Sequence, residues 1–217
     1  MERKKQKRDT FKKAELPSPR PVKTFEHSGK YMDDVTQCLD VLKAGGIILY
    51  PTETIWGIGC DATNEQAVKK IYELKHKQEL QSLLVLVDHA DRLGRYVKQI
   101  PEAAIQLIEV NDKPMTIIYP GAVNLASNII SPEGSIGIRI TSDEFCKKLI
   151  SSFNKPLVST SANLSGEPYP ETFRDIPESI LKGVDYVVKW RQKDPNPGTP
   201  SSIIKVGSKG QIEIIRP

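Results

Sequence analysis

Apolar positions along the chain alternate between short continuous runs and stretches with helical spacing. Val35, Leu39 and Leu42 share one helical face and stop at Gly45-Gly46, which predicts a helix over residues 31–44 with a glycine stop. Ile47 to Tyr50 is a continuous apolar run of strand length, ended by Pro51, which has no N–H to give to a ladder. Asn64 stands before Ala67, Val68, Ile71 and Leu74, the pattern of a capped amphipathic helix ending near Lys75. Residues 82–87 predict a second buried strand, and Asp88 and Pro101 open two short helices. Strands are expected at Met115–Tyr119, Ile136–Ile140 and Leu157–Thr160, with a helix capped by Ser142 that carries Phe145 and Leu149. A short helix near residues 176–181 precedes a strand at 184–188. A closing hairpin pairs residues 202–206 with 211–216 around the turn Gly207–Gly210. Strands alternating with helices predict an α/β domain (α+β in some schemes): a single domain with a twisted mixed sheet flanked by helices.

Composition narrows this picture. A chain of 217 residues with 38% hydrophobic and 27% charged side chains has the makings of one globular core. The net charge of +4 hides an asymmetry. Residues 1–23 hold nine Lys/Arg against three Asp/Glu, a balance of +6. The remainder is at −2. The head, with Pro17, Pro19 and Pro21 and few apolar residues, reads as a solvated basic tail, or as a weak RNA contact in the sharper reading. Residues 24–217 form the expected folded domain, too nearly neutral for a nucleic-acid platform. Cys38, Cys60 and Cys146 lie far apart with no Cys-x-x-Cys, so buried reduced thiols are expected rather than zinc or disulfides. No run approaches membrane-helix length and the N-terminus carries no apolar leader, so the expected location is the cytoplasm, with no membrane partner.

Four places join a buried element to polar or cationic residues: Pro51-Thr52-Glu53-Thr54, Lys75-His76-Lys77, Arg139 within the apolar run 136–140, and Ser159-Thr160-Ser161-Ala162-Asn163. Cations with small donors suit a phosphate-bearing ligand. Each has an ordinary reading as well: helix-end charges for Lys75 and Lys77, a structural ion pair for Arg139, a turn for the Ser/Asn run. His76 reads as an exposed helix-end histidine, with a general base as the sharper alternative. Gly57 and Gly59 read as turn or close-approach positions.

Taken in order, these motifs resemble the YrdC/TsaC family of threonylcarbamoyl-AMP synthases, from about Tyr31 to Arg216. Pro51-Thr52-Glu53-Thr54-Ile55-Trp56-Gly57-Ile58 is similar to the family's Pro-Thr-Glu-Thr-x-Tyr-Gly-Leu, and Ser161-Ala162-Asn163-Leu164-Ser165-Gly166 matches Ser-Ala-Asn-x-Ser-Gly in full. Lys75-His76-Lys77, Pro120–Asn124, Gly137–Ile140 and Pro200–Ile203 fall where the family has Lys-x-Arg, Pro-Gly-Pro-x-Thr, its arginine strand and Pro-Ser-Thr-Val/Ile. The resemblance implies a YrdC-like fold related to dihydroxybutanone phosphate synthase. It also implies a reaction: L-threonine and bicarbonate give a carbamate that attacks the α-phosphate of ATP and releases pyrophosphate. The adenylate then goes to a tRNA-modifying transferase. On that resemblance Lys75, Lys77 and Arg139 are catalytic. The same three, with Ser159, Ser161 and Asn163, hold nucleotide and phosphate, and Thr52 and Thr54 line the threonine side. Mg²⁺ comes with ATP, because Mg²⁺ keeps its waters, and no protein metal cage is expected.

The departures are Lys77 for arginine, Ser82 for proline, Asn124 for threonine, Trp56 for tyrosine, and a 190–199 loop without the usual Asp-Gly-Gly. They leave room for a paralogue that binds nucleotide or RNA with drifted chemistry. An RNA-binding module and a sugar-phosphate enzyme are the other classes; the second needs an acidic metal cluster that the sequence lacks.

Overall fold

The computed structural model describes residue 29, residues 31–76 and residues 83–217. The basic tail, Lys77 and Ser82 lie outside the described residues.

The chain builds α1 (Met32–Lys43), β1 (Ile48–Tyr50), β2 (Gly57–Gly59), α2 (Glu65–Leu74), β3 (Leu84–Val87), α3 (Glu102–Val110), β4 (Met115–Pro120), β5 (Ser135–Ile140), α4 (Glu144–Phe153), β6 (Leu157–Ser161), α5 (Glu178–Gly183), β7 (Tyr186–Val187), β8 (Ser202–Val206) and β9 (Ile212–Arg216). These strands form one sheet in the order β7-β1-β2-β6-β3-β5-β4-β8-β9. The pairs β1/β7, β3/β5 and β4/β8 are parallel, and the other neighbours are antiparallel. The mixed sheet expected from the uneven strand–helix order is therefore present.

Local chemistry explains the elements. Asn64 is in extended geometry and its side chain accepts from the Gln66 and Ala67 amides, two of the four donors a helix start leaves open. The cap of α4 is Asp143, one residue after the expected Ser142: its carboxylate accepts from Cys146 N at 2.9 Å. Asp88 does not open a helix; a 3-10 turn runs over Ala90–Arg95 behind His89. β2 has no counterpart in the sequence reading. Gly-Ile-Gly is poor strand material, yet it pairs along its length with β1 and continues into β6. Its glycines serve close approach. A Cβ on Gly59 would stand 2.5 Å from the Val158 carbonyl and 2.7 Å from the Tyr50 ring.

Alternate positions in neighbouring strands, Ile58, Val158, Val85, Ile138 and Ile117, are buried in the core with Val35, Leu42, Phe145 and Leu149 from α1 and α4. The other parity of the sheet carries the residues described next.

Candidate active site

Strand register assembles the site. Arg139 of β5 lies opposite Thr116 of β4, Thr116 opposite Ile203 of β8, and Ile203 opposite Arg216 of β9. Directly paired residues share a sheet face, so this row puts two arginines on one side. A second row runs Ser159–Leu84–Gly137 across β6, β3 and β5. Between them is a cavity of about 230 Å³, whose lining includes Thr54, Arg139, Ser159, Ser161, Tyr169 and Arg216. Leu84 and Ile203 also border an adjoining, more apolar trough of about 180 Å³ with Ile118, Gly137 and Ile215.

The hairpin turn after β1 supplies one wall. Arg139 Nη1 donates to Thr54 Oγ1 at 3.0 Å, and the two threonine hydroxyls are 2.8 Å apart. Thr52 Oγ1 donates to the Ile55 carbonyl at 2.7 Å, so its single proton is committed there and Thr54 must donate to Thr52. The Thr54 amide also donates to Thr52 Oγ1, at 3.0 Å. Thr52, 2% exposed, is thus satisfied as a structural hydroxyl, whereas Thr54 borders the cavity and can offer it only a lone pair. Glu53 faces the other edge of Arg139: its Oε1 is 3.1 Å from Nε, an ion pair whose angle falls outside hydrogen-bond geometry. Its Oε2 accepts from Thr141 Oγ1 at 2.7 Å. The Arg191 guanidinium braces the same turn by donating to Thr52 O at 3.2 Å and Asp143 Oδ2 at 2.9 Å.

Lys75 and Asn163 stand behind the cavity rather than in its lining. The Lys75 ammonium is buried and donates to the carbonyls of Ser161 and Asn163 and to Asn163 Oδ1. The Lys75 carbonyl accepts from Ser165 N at 3.1 Å. Asn163 spends its amide protons on the carbonyls of Leu164 and Glu167. Together they clamp the 161–167 loop to the end of α2. His76 is exposed, with φ +51°. Of the sequence-derived set, the structure brings together Thr54, Arg139, Ser159 and Ser161, with Thr52, Lys75 and Asn163 as the shell behind them. Lys77 lies outside the described residues.

Arg216, Tyr169 and Ser201 were not among the expected site residues. Partial loss of solvent around an otherwise exposed side chain, and then the like charge of Arg139, hold the Arg216 guanidinium below its ordinary value. Arg216 Nε donates to Ser201 O at 2.9 Å. In sequence, Arg216 is only a polar end to an apolar run, and the row that pairs it with Arg139 needs the parallel β4/β8 contact. Two of the departures lie away from this cavity. Trp56 packs on Phe173 with ring centroids 4.9 Å apart, and Asn124 is a left-handed turn residue that donates to Arg95 O.

The Sua5/YciO/YrdC family model, described as telomere recombination, matches residues 40–217. The chain belongs to that family. A threonylcarbamoyl-AMP synthase of Vibrio campbellii is 32% identical over 152 residues, covering 69% of this chain and 82% of the relative. The crystal structure of P. abyssi Sua5 complexed with L-threonine superposes with a TM-score of 0.71 at 25% identity, covering 79% of this chain. This family member spans half the length of that Sua5. E. coli YciO gives a TM-score of 0.74 at 20% identity over 85% of this chain and 88% of its own, a likeness of fold. The single-domain mixed sheet flanked by helices is thus the family's fold. Among the described residues no helix is long and apolar enough to cross a membrane.

Proposed function

We propose that this chain is a threonylcarbamoyl-AMP synthase: it joins L-threonine, bicarbonate and ATP into threonylcarbamoyl-AMP and pyrophosphate. The observation that carries this reading is the face on which Arg139, Arg216, Ser159, Ser161 and Thr54 meet beside an apolar trough. The reaction is a nucleotidyl transfer. The threonine amine adds to bicarbonate with loss of water, a carbamate oxygen attacks the α-phosphorus, and pyrophosphate leaves. Such chemistry is helped chiefly by alignment and charge neutralisation. The trough suits the flat base of ATP, and the two guanidinium groups suit its phosphates. The lone pair of Thr54 accepts from the threonine ammonium or hydroxyl.

The cavity's donor set is guanidinium and hydroxyl, and Glu53, the carboxylate beside Arg139, is engaged by Arg139 and Thr141. These residues fit an anion and not a bare divalent cation, so Mg²⁺ belongs to the incoming triphosphate. Among the described residues no group of three or more His, Cys, Asp or Glu side chains could hold a metal. Lys75 acts on the reaction through the loop it clamps. The product is a reactive mixed anhydride, which calls for a transferase that carries it to tRNA. A cytoplasmic setting agrees with three free, buried thiols.

The test is pyrophosphate release. All three substrates together give turnover, and omitting threonine or bicarbonate stops it. Release that continues unchanged without either one sinks the proposal.

A further inference from the structure

We propose that Glu53 is a positioning residue that sets both the aim and the effective charge of Arg139, and so keeps pyrophosphate from being held too tightly. The inference rests on the nucleotidyl-transfer reading above.

The Glu53 carboxylate is 11% exposed, in a place where an unpaired charge would be costly. Two contacts offset that cost: the guanidinium of Arg139 at 3.1 Å and the hydroxyl of Thr141 at 2.7 Å. Thr141 is held in turn, because its Oγ1 accepts from Asp143 N at 3.2 Å. Glu53 therefore sits against the end of β5, facing Nε, while Thr54 takes Nη1. No hydrogen bond occupies Nη2 among the described residues, and Arg139 lines the cavity. The guanidinium is anchored through Nη1, has the Glu53 carboxylate beside Nε, and keeps Nη2 for a ligand.

The Glu53–Arg139 contact is close but not aligned. Glu53 Oε1 and Arg139 Nε are both buried, and neither has a hydrogen-bond partner among the described residues. Thr141 holds the carboxylate through its other oxygen, short of the in-plane seat a two-bond ion pair would take. Arg139 thus keeps part of its pull on an outside anion. Among the described residues the Arg216 side chain has the Ser201 carbonyl on its Nε and no other hydrogen bond, and it adds its own charge. With the Glu53 charge removed, two guanidinium groups would face a multiply charged leaving group, and the nearby Asp143 carboxylate is already engaged by Arg191. Release would then slow.

Two substitutions move the charge balance in opposite directions. Glu53→Gln keeps the shape, the acceptor toward Arg139 and a group that can bond Thr141, but loses the charge. It should bind pyrophosphate roughly three- to tenfold tighter, the effect of one charge in a partly screened site. Its KM for ATP and its kcat should both fall. Thr141→Val frees the carboxylate to square up on Arg139, so pyrophosphate should bind about twofold weaker by the loss of one donor's worth of pull. Pyrophosphate affinity is read by calorimetry, beside the melting temperature. A purely structural Glu53 lowers the melting temperature of Glu53→Gln and leaves pyrophosphate affinity unchanged or weaker; that result overturns the inference. Should Glu53→Gln not fold, unchanged or tighter binding by Thr141→Val overturns it alone. If the unsubstituted protein binds neither ATP nor pyrophosphate, it is the functional reading that fails.

Discussion

Thr52 and Thr54 look equivalent in Pro-Thr-Glu-Thr, and hydrogen bonding separates them. Thr52 Oγ1 donates once and accepts twice inside the turn. Thr52→Val should cost about 1–2 kcal/mol of stability in urea denaturation, from the lost bonds. Thr54 accepts from Arg139 at the cavity wall, so Thr54→Val should raise the KM for threonine by about tenfold, the worth of one substrate hydrogen bond. Equal effects of the two on KM would contradict the assignment. Lys75 and Asn163 show what a motif leaves unsaid: the sequence displays a lysine and an asparagine near hydroxyls, but not that Lys75 donates to the Ser161 and Asn163 carbonyls and Asn163 to those of Leu164 and Glu167. Lys75→Met should loosen the 161–167 loop at a cost of about 1–3 kcal/mol, since buried acceptors lose their donor. A melting curve identical to the unsubstituted protein would remove the clamp.

At the level of elements, the hairpin of β1 and β2 decides where the threonines stand, and its glycines decide whether it closes. Gly59→Ala puts a methyl into the Val158 carbonyl and the Tyr50 ring, and should destabilise by about 1–3 kcal/mol through overpacking, as read by chemical denaturation. The strand was illegible because the requirement for tiny residues erased its apolar signature, whereas β3 and β5, built of Leu, Val and Ile, announced themselves. The cap of α4 was misplaced by one residue for a similar reason: Ser142 and Asp143 are both capping types, and only geometry chooses. That choice carries a pH signature. Burial raises the Asp143 carboxyl above its ordinary value, against the pull of the Cys146 amide and Arg191. An acid with a raised folded-state pKa adds stability that is complete below the unfolded value and fades as pH rises through the folded one. Asp143→Asn, which can still cap, should therefore compare most favourably with the unsubstituted protein at neutral pH. That advantage should shrink as the pH falls toward about 4. A difference between the two proteins that stays constant with pH would refute the assignment.

Across the whole molecule, the sheet's registers bring distant residues together. Ser159, Arg139 and Thr54 could be grouped from sequence because each ends or interrupts an apolar run. Arg216 could not, since its approach to Arg139 depends on β8 lying parallel beside β4 rather than pairing only with β9. The same topology sets how the site opens. β9 is the outermost strand, paired on one side with β8 among the described residues, and all five of its residues are exposed. Such an edge frays on its own, at a small fraction of the cost of global unfolding. Each fraying event carries Arg216 away from its place in the row with Arg139. A phosphate chain that spans Arg139 and Arg216 would stitch the loose hem to the fabric. Amide exchange in residues 212–216 should then slow markedly when nucleotide is bound, while the amides of β3 and β5 exchange as slowly with it as without.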